Sequence, residues 1–251
     1  MFFMTPSFRK PLDIEVRPVV WVLGASRGIG RELALQFAYI GCNVSLSSRS
    51  MSNLLSLKKE ILKKGGQAEA FMCDIKDERS VHRTCKAISQ KFGTIDVLVN
   101  SAGITSFRSF RKTEAEDFKK IISINLLGPV NAIRAVLPMM FKRRKGWIVN
   151  ILSTAATTTF QNSSAYSASK AALHALGDVL REEVRSSNIK ITNVIPGATD
   201  TAMWPSRLRR KHRSKMMNPK SLAEAIVTLY QLPKDVVVEE ITLRPIHGDI
   251  K

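Results

Sequence analysis

Cysteine is scarce in this chain: only Cys42, Cys73 and Cys85 occur, an odd number without a CxxC pair. Neither a disulfide framework nor a zinc site is suggested, and a reducing compartment is the expected setting. The four histidines, His82, His174, His212 and His247, are scattered without metal-ligand spacing, so no metal is expected. Long apolar runs are missing too. Pro6 cuts short the apolar start Met1-Phe2-Phe3-Met4, and nowhere do about 18 apolar residues follow one another. A soluble, cytoplasmic protein without a membrane span is therefore expected. Acidic residues are few, 21 against 39 lysines and arginines, which leaves a net charge of +18. That excess favours anionic partners such as phosphates, nucleic acid, acidic proteins or lipid headgroups, without choosing among them. What is present is ordinary for a folded protein. Its 251 residues are 44% hydrophobic, enough to bury a core and to exclude disordered and collagenous classes.

Pro6, Pro11 and Pro18 punctuate residues 1–18, which show no helical or strand period and read as an N-terminal extension. From residue 19 to 251 apolar runs alternate with amphipathic stretches. Seven strands are predicted, over Val19 to Leu23, Asn43 to Ser47, Ala68 to Cys73, Ile95 to Val99, Trp147 to Leu152, Ile189 to Ile195 and Val236 to Leu243. Ile29, Leu33, Phe37 and Ile40 recur at helical spacing before Gly41, a C-cap signal. Further helices should end at Gly65-Gly66 and Gly93, and start at a Thr113 to Glu116 capping box and at Asn218-Pro219. Continuous apolar strands separated by helices imply one α/β domain: a Rossmann-type, doubly wound parallel sheet of seven strands.

Immediately after the first strand stands Leu23-Gly24-Ala25-Ser26-Arg27-Gly28-Ile29-Gly30, leading into the first helix. Glycines at 24, 28 and 30 allow a tight turn and let backbone N–H groups approach a pyrophosphate, so a dinucleotide site is expected although the spacing is GxxxGxG. The acid that would meet a free ribose 2′-hydroxyl is missing where the second strand ends, at Ser47-Ser48-Arg49-Ser50. Arg49 and Arg27 are instead placed to pair with a 2′-phosphate, which favours NADP(H) over NAD(H). The competing reading makes Arg49 a plain strand-end cation.

Tyr166 and Lys170 lie one helical turn apart and share a face, among the small residues Ser164, Ala165, Ser167, Ala168 and Ser169. Ser153 follows the fifth strand, on the carboxyl edge where open parallel sheets bind ligands. With the glycine loop, Asp74, Asn100-Ser101-Ala102-Gly103, Asn125 and Pro196-Gly197 before Thr201, these residues resemble the short-chain dehydrogenase/reductase family in order, over nearly all of residues 19–245. The resemblance, closest in type to NADP-preferring 3-oxoacyl reductases, implies hydride transfer between a nicotinamide and a carbonyl or alcohol. It implies Tyr166 as general acid/base, Ser153 as hydrogen-bond donor to the developing oxyanion, and Asn125 as keeper of a water in a relay to Lys170. Lys170 would lower the Tyr166 pKa and hold the nicotinamide ribose. It further implies a coenzyme surface of Gly24, Ser26, Arg27, Gly28, Ile29, Gly30, Arg49, Asp74, Ile75, Asn100, Ala102, Gly103, Tyr166, Lys170, Pro196, Gly197 and Thr201, with Thr199 competing with Thr201. Departures are Leu23 where the family usually has Thr, Ser101 for a common second Asn, and a C-terminal end without the frequent acidic-glycine tail.

Basic segments flank the expected pocket mouth: Arg108, Arg111 and Lys112 on one side and Arg207 to Lys215 on the other, within a substrate lid over 202–218. They suggest a phosphate-bearing or carrier-bound carbonyl substrate, with a merely soluble basic surface as the equal alternative. Lys142 to Lys145 lie at the opposite edge. A functional alternative of another class is a non-catalytic basic module contacting nucleic acid or membrane, disfavoured because Ser153, Tyr166, Lys170 and Asn125 occur together and no RNA-binding aromatic motif is evident. By resemblance only, Met139-Met140-Phe141 and Leu173-Leu176 mark helices through which a homodimer or homotetramer would form.

Overall fold

Val19–Leu23 is apolar at every position, and in the computed structural model, which describes residues 17–250, it is strand β1, buried on both faces. The expected extension over 1–18 lies, apart from its last two residues, outside the described residues. Helix α1 (Gly28–Tyr39), strand β2 (Asn43–Ser48), α2 (Met51–Lys63), β3 (Gln67–Met72), α3 (Glu78–Phe92) and β4 (Val97–Asn100) complete the first half. In the second half α4 (Ala115–Ile122) passes through one π-helical turn (Ser123–Leu127) into α5 (Gly128–Arg143). Then come β5 (Gly146–Ile151), α6 (Ser164–Val184), β6 (Ile189–Pro196), α7 (Ser206–His212), α8 (Pro219–Tyr230) and β7 (Glu240–Leu243).

All strand pairs are parallel, in the order β3-β2-β1-β4-β5-β6-β7. The winding direction reverses between β1 and β4, which opens a crevice at their carboxyl ends. Strand periodicity sorts β1 between two cores. Val20 and Val22 join Leu33, Phe37, Val44 and Val97 under α1, α2 and α8, while Val19, Trp21 and Leu23 join Leu98, Val136 and Ile148 under α3, α5 and α6. The continuous helix from Ala115 to Arg143 is long and apolar enough by composition to cross a membrane, yet Ile121, Ile124, Ala132, Ile133, Val136 and Met140 are buried in the protein core. The three cysteines are buried and free, and burial pushes the Cys42 thiol up to about 12 and that of Cys85 up to about 11.

Several expected boundaries move. Strand β7 starts at Glu240, not Val236, because the Val236 and Val238 carbonyls are taken by the Lys190 ammonium and the Thr192 hydroxyl instead of a strand ladder. The Thr113 to Glu116 capping box does not form. The Thr113 hydroxyl donates to the Ser109 carbonyl, and Glu114, at the N-cap position before Ala115, gives the helix no side-chain cap. Gly93 closes α3 in the left-handed region (φ 82°), and the Asn218 side chain accepts from Lys220 N at 2.8 Å to start α8, both as expected. Met140 (0% exposed) and Leu173 (1%) belong to the core and cannot form an outer contact face, whereas Phe141 and Val179 are exposed.

A polar line crosses the carboxyl half of the sheet. Asn100, Asn150 and Asn193 are register partners on β4, β5 and β6. The Asn100 amide donates to Asn150 Oδ1 (2.9 Å), Asn150 donates to Asn193 Oδ1 (3.2 Å), and Asn193 donates to Asp178 Oδ1 (3.1 Å) on α6. Gly177 makes this approach of α6 to β6 possible, since a Cβ there would collide with the Asn193 amide. Helix propensity favours Ala over Gly by about 1 kcal/mol, but overpacking costs about 1–3 kcal/mol and here also breaks buried hydrogen bonds. Gly177→Ala is therefore expected to destabilise the fold, lowering the urea midpoint; a midpoint equal to or above that of the wild type would refute the packing argument.

Candidate active site

The glycine loop is held by the strand next to it. Gly24 N and Ala25 N both donate to the Ser47 carbonyl (2.8 and 3.1 Å), and Trp21 Nε1 donates to the Ser47 hydroxyl (2.9 Å). These bonds fix the turn without the side-chain bond that Leu23 cannot make. Gly24 adopts φ 83°, and a Cβ on it would lie 2.7 Å from Ala102 N; one on Gly30 would strike the Gly24 carbonyl. The loop thus packs directly on Ser101-Ala102, which brings the β1 and β4 ends together at the crevice. Helix α1 begins at Gly28 with no side-chain cap from Arg27 and no acid in its first turn, so its first N–H groups and its dipole remain available to an anion. Arg27 and Arg49 are both exposed, and neither guanidinium group has an ion pair or hydrogen bond among the described residues. Asn100 Oδ1 is buried without a partner beside this loop. A cradle that only glycine fits, uncapped donors, free guanidinium groups and an orphaned acceptor suit a phosphorylated dinucleotide.

Other expected coenzyme residues divide. Ile29 packs partly against the core and Ser26 is half-buried in the turn. Asp74 closes its own turn, accepting from Lys76 N at 3.1 Å, and Ile75 is buried, its carbonyl accepting from Asn131. Pro196 and Gly197 pair with Leu243, Gly197 N donating to its carbonyl at 2.8 Å. The two threonines differ in their surroundings. Thr199 is buried with its hydroxyl donated to the Gly197 carbonyl (3.0 Å), whereas the Thr201 side chain lies 3.3 Å from the Cβ position of Gly28 and so faces the loop.

Tyr166 and Lys170 occupy the first turns of α6, whose N-terminus abuts the end of β5. Lys170 is 4% exposed and donates to the Ile151 carbonyl at 2.7 Å, its ammonium 5.9 Å from the Tyr166 ring centroid. Burial drives its pKa down to about 8. Burial also raises the Tyr166 pKa, with a hydrogen bond from the Ser153 side working against the rise. The expected lowering of the phenol pKa by Lys170 does not arise in the protein alone: desolvation is the larger influence on the phenol, although the Tyr166 side chain is only half-buried. Ser153 itself caps a short turn, its hydroxyl accepting from Ala155 N at 3.1 Å. Asn125 sits in the π-turn. Its Oδ1 accepts from Ile104 N (2.9 Å) and its amide donates to the Ile104 carbonyl (2.9 Å) and to Ser169 Oγ (3.0 Å). It thereby ties the loop after β4 to α6, and Ser169 donates onward to the Tyr166 carbonyl (2.6 Å). All converge on Gly103, whose Cβ position lies 3.5 Å from Asn125 Oδ1, 3.8 Å from Lys170 Nζ and 3.9 Å from Met203 Cε.

Sequence reasoning missed Ser169, Asn150 and Asn193. Ser169 is three residues from Tyr166 on the same helix, and the two asparagines interrupt apolar strands at one register level, which was the available signal. The segment over 202–218 adds contacts of its own. Met203 Sδ lies 4.0 Å from the Tyr166 hydroxyl, and Trp204 stacks on Phe107 with centroids 5.4 Å apart. Asp200, between the two threonines, pairs with Arg209 and with Arg213 (2.9 Å); those bonds, Arg209 first, hold its carboxyl below the usual range.

A family model described as short chain dehydrogenase matches residues 18–212. The chain belongs to the short chain dehydrogenase family. This short chain dehydrogenase is 35% identical over 243 residues to sepiapterin reductase of Chlorobaculum tepidum, covering 94% of its own length and 99% of that protein. Among solved structures it is similar to an alcohol dehydrogenase of the archaeon Thermococcus sibiricus complexed with 5-hydroxy-NADP, with TM-score 0.86, 28% identity, and 94% and 99% of the two chains covered. It is likewise similar to an actinorhodin polyketide ketoreductase variant with NADPH, with TM-score 0.85, 25% identity and coverage of 91% and 96%. Membership makes the chain an NAD(P)-dependent oxidoreductase with a Rossmann-like α/β domain.

The Lys170 ammonium has a thermodynamic signature. Its folded pKa near 8 lies below its reference value of 10.5, so between those limits the unfolded chain binds a proton that the folded one does not. The cost of burying the charge is thus fully present below about pH 8 and disappears as pH rises toward 10.5, at most about 1.4 kcal/mol per pH unit. Relative to Lys170→Met, the wild type should gain unfolding free energy between pH 8 and 10 in urea titrations. A constant difference would show that Lys170 is not a desolvated cation.

Proposed function

We propose that this short chain dehydrogenase is an NADPH-dependent carbonyl reductase, acting on a ketone or a 3-oxoacyl thioester with Tyr166 as general acid. The observation that carries the reading is the convergence of Lys170, Asn125 and Met203 around Gly103, beside Tyr166 and within the crevice whose other wall is the glycine cradle. The coenzyme would rest on Gly24, Gly28 and Gly30, with Thr201 above the loop and Gly103 below the site, and when bound it supplies a hydride. Everything else falls to the chain's own groups. Ser153 donates to the carbonyl oxygen as charge develops there. Tyr166 stays protonated at neutral pH, which burial favours, and delivers its proton to that oxygen. Lys170, fixed by the Ile151 carbonyl, places positive charge beside the phenolate left behind, and Asn125 fixes the loop that forms the floor. Met203 and the stacked Phe107 and Trp204 would flank the bound substrate.

The relatives named above, two of them with bound NADP-type coenzymes, support the coenzyme class, and the free Arg27 and Arg49 guanidinium groups support a 2′-phosphate. Buried free thiols fit a cytoplasmic setting, and the exposed Leu127, Phe141 and Val179 support self-association through the long helix and α6.

A panel of ketones and thioesters assayed by NADPH consumption tests the reaction. Tyr166→Phe should lower kcat by about 10²–10⁴-fold and Ser153→Ala by about 10²–10³-fold, with the Kd for NADPH within threefold of wild type. Retention of turnover by Tyr166→Phe would end the mechanism. In a separate measurement, Arg49→Ala should weaken NADPH binding by about tenfold and leave NADH binding unchanged. Equal losses for both coenzymes would assign Arg49 another role.

A further inference from the structure

Between Thr201 and Pro219 the chain has no aspartate or glutamate but six lysines and arginines, and the structure arranges three of these arginines around one hollow. Ala202, Trp204, Ser206, Arg209, Arg210 and Arg213 line a cavity of about 260 Å³. The Asp200 carboxylate orients two of them. It accepts from Nε of Arg209 and Nε of Arg213, one on each oxygen, so both guanidinium groups are held by their inner nitrogen. The four terminal nitrogens of this pair have no partner among the described residues, and neither does the Arg210 guanidinium. One carboxylate among three guanidinium groups leaves an excess of two positive charges. It also damps the repulsion that would otherwise drive the arginines apart. Terminal N–H pairs presented side by side are the donor pattern that binds a phosphoryl group in bidentate fashion.

The position of the hollow matters as much as its charge. Trp204 lines it, while the preceding residue, Met203, reaches the Tyr166 hydroxyl. An occupant of the hollow and a carbonyl at Tyr166 are therefore separated by the thickness of one lid segment. Asp200 is flanked by Thr201, which faces the glycine loop, and Asp200 N donates to the Met217 carbonyl (2.9 Å), so the arginines ride on a part of the lid fixed at both ends. Arg27 and Arg49 do not line this hollow.

We propose that Arg209, Arg210 and Arg213 form an anion subsite that grips a phosphate of the substrate remote from its reacting carbon. The enzyme would then act on phosphate-bearing carbonyl compounds, such as thioesters of phosphorylated pantetheine, in preference to neutral ones. This rests on the reductase reading above and narrows its substrate class.

The test compares two thioesters with the same acyl group. 3-Oxobutanoyl-coenzyme A carries phosphates, and 3-oxobutanoyl-N-acetylcysteamine carries none. Wild type should prefer the first by at least tenfold in kcat/KM, through KM. The double variant Arg210→Ala/Arg213→Ala, exposed in the lid and checked for an unchanged Tm, should lose that ratio at least tenfold. Calorimetry gives a readout independent of turnover: pantetheine 4′-phosphate should bind the NADP-saturated protein, pantetheine should not, and the double variant should bind neither. An unaltered ratio or undiminished phosphate binding in the variant overturns the subsite while leaving the reductase reading intact. A rise in the NADPH Kd of the variant by more than threefold also overturns it, by assigning the arginines to the coenzyme. Absence of NADPH consumption with both thioesters and every neutral ketone would instead reject the reductase reading itself.

Discussion

A single buried ammonium sets the terms for the active site. Lys170 is bound to the Ile151 carbonyl where β5 ends and α6 begins, and it cannot leave without breaking the junction between the sheet and the helix that carries Tyr166. Desolvation makes this position expensive for a cation, and the hydrogen bond to the Ile151 carbonyl offsets part of that cost. The same exclusion of water raises the phenol pKa, so the two groups are poised in opposite directions before any ligand arrives. In the proposed reaction, a developing phenolate would relieve the cost at Lys170 and turn a stability penalty into differential stabilisation of a charged transition state.

Around that junction the supporting structure is polar where a sheet interior is usually apolar. The Asn100-Asn150-Asn193 line runs across three strands into Asp178, while Asn125 and Ser169 stitch the π-turn and the loop after β4 to α6. Two independent hydrogen-bonded connections thus reach α6 from the sheet and from the long helix. Each member satisfies its neighbour, which is the condition under which buried polar networks rigidify a fold. The one exception is Asn100 Oδ1, which is buried without a partner.

Much of this was readable from residue order. Continuous apolar segments located all seven strands to within a few residues, since a parallel sheet covered on both faces demands them. Gly24, Gly28 and Gly30 announced the cradle because two of them are sterically irreplaceable there. What could not be read depended on partners far along the chain. Val236 looked like a strand residue until Lys190 and Thr192 captured the carbonyls of its segment. Thr199 and Thr201 were indistinguishable until one turned inward. The sign of the Tyr166 shift depends on desolvation in the folded site, and the arginines over 207–213 read equally as a substrate-facing group or a soluble basic surface, with no sign in the sequence that Asp200 aligns two of them.

The π-turn at Ser123–Leu127 accommodates one residue more than an α-helical ladder would. In a regular helix each residue advances the azimuth by about 100°, so the extra residue works as a phase shifter. It lets α5 keep its stripe against α3 while α4 faces another way, with Asn125 at the inner side of the bend. Phe107, and through it the aromatic cover over the pocket, hangs on the chain upstream of that offset. A single-residue insertion inside a helix thus sets the rotational offset between α4, with the chain leading into it, and α5.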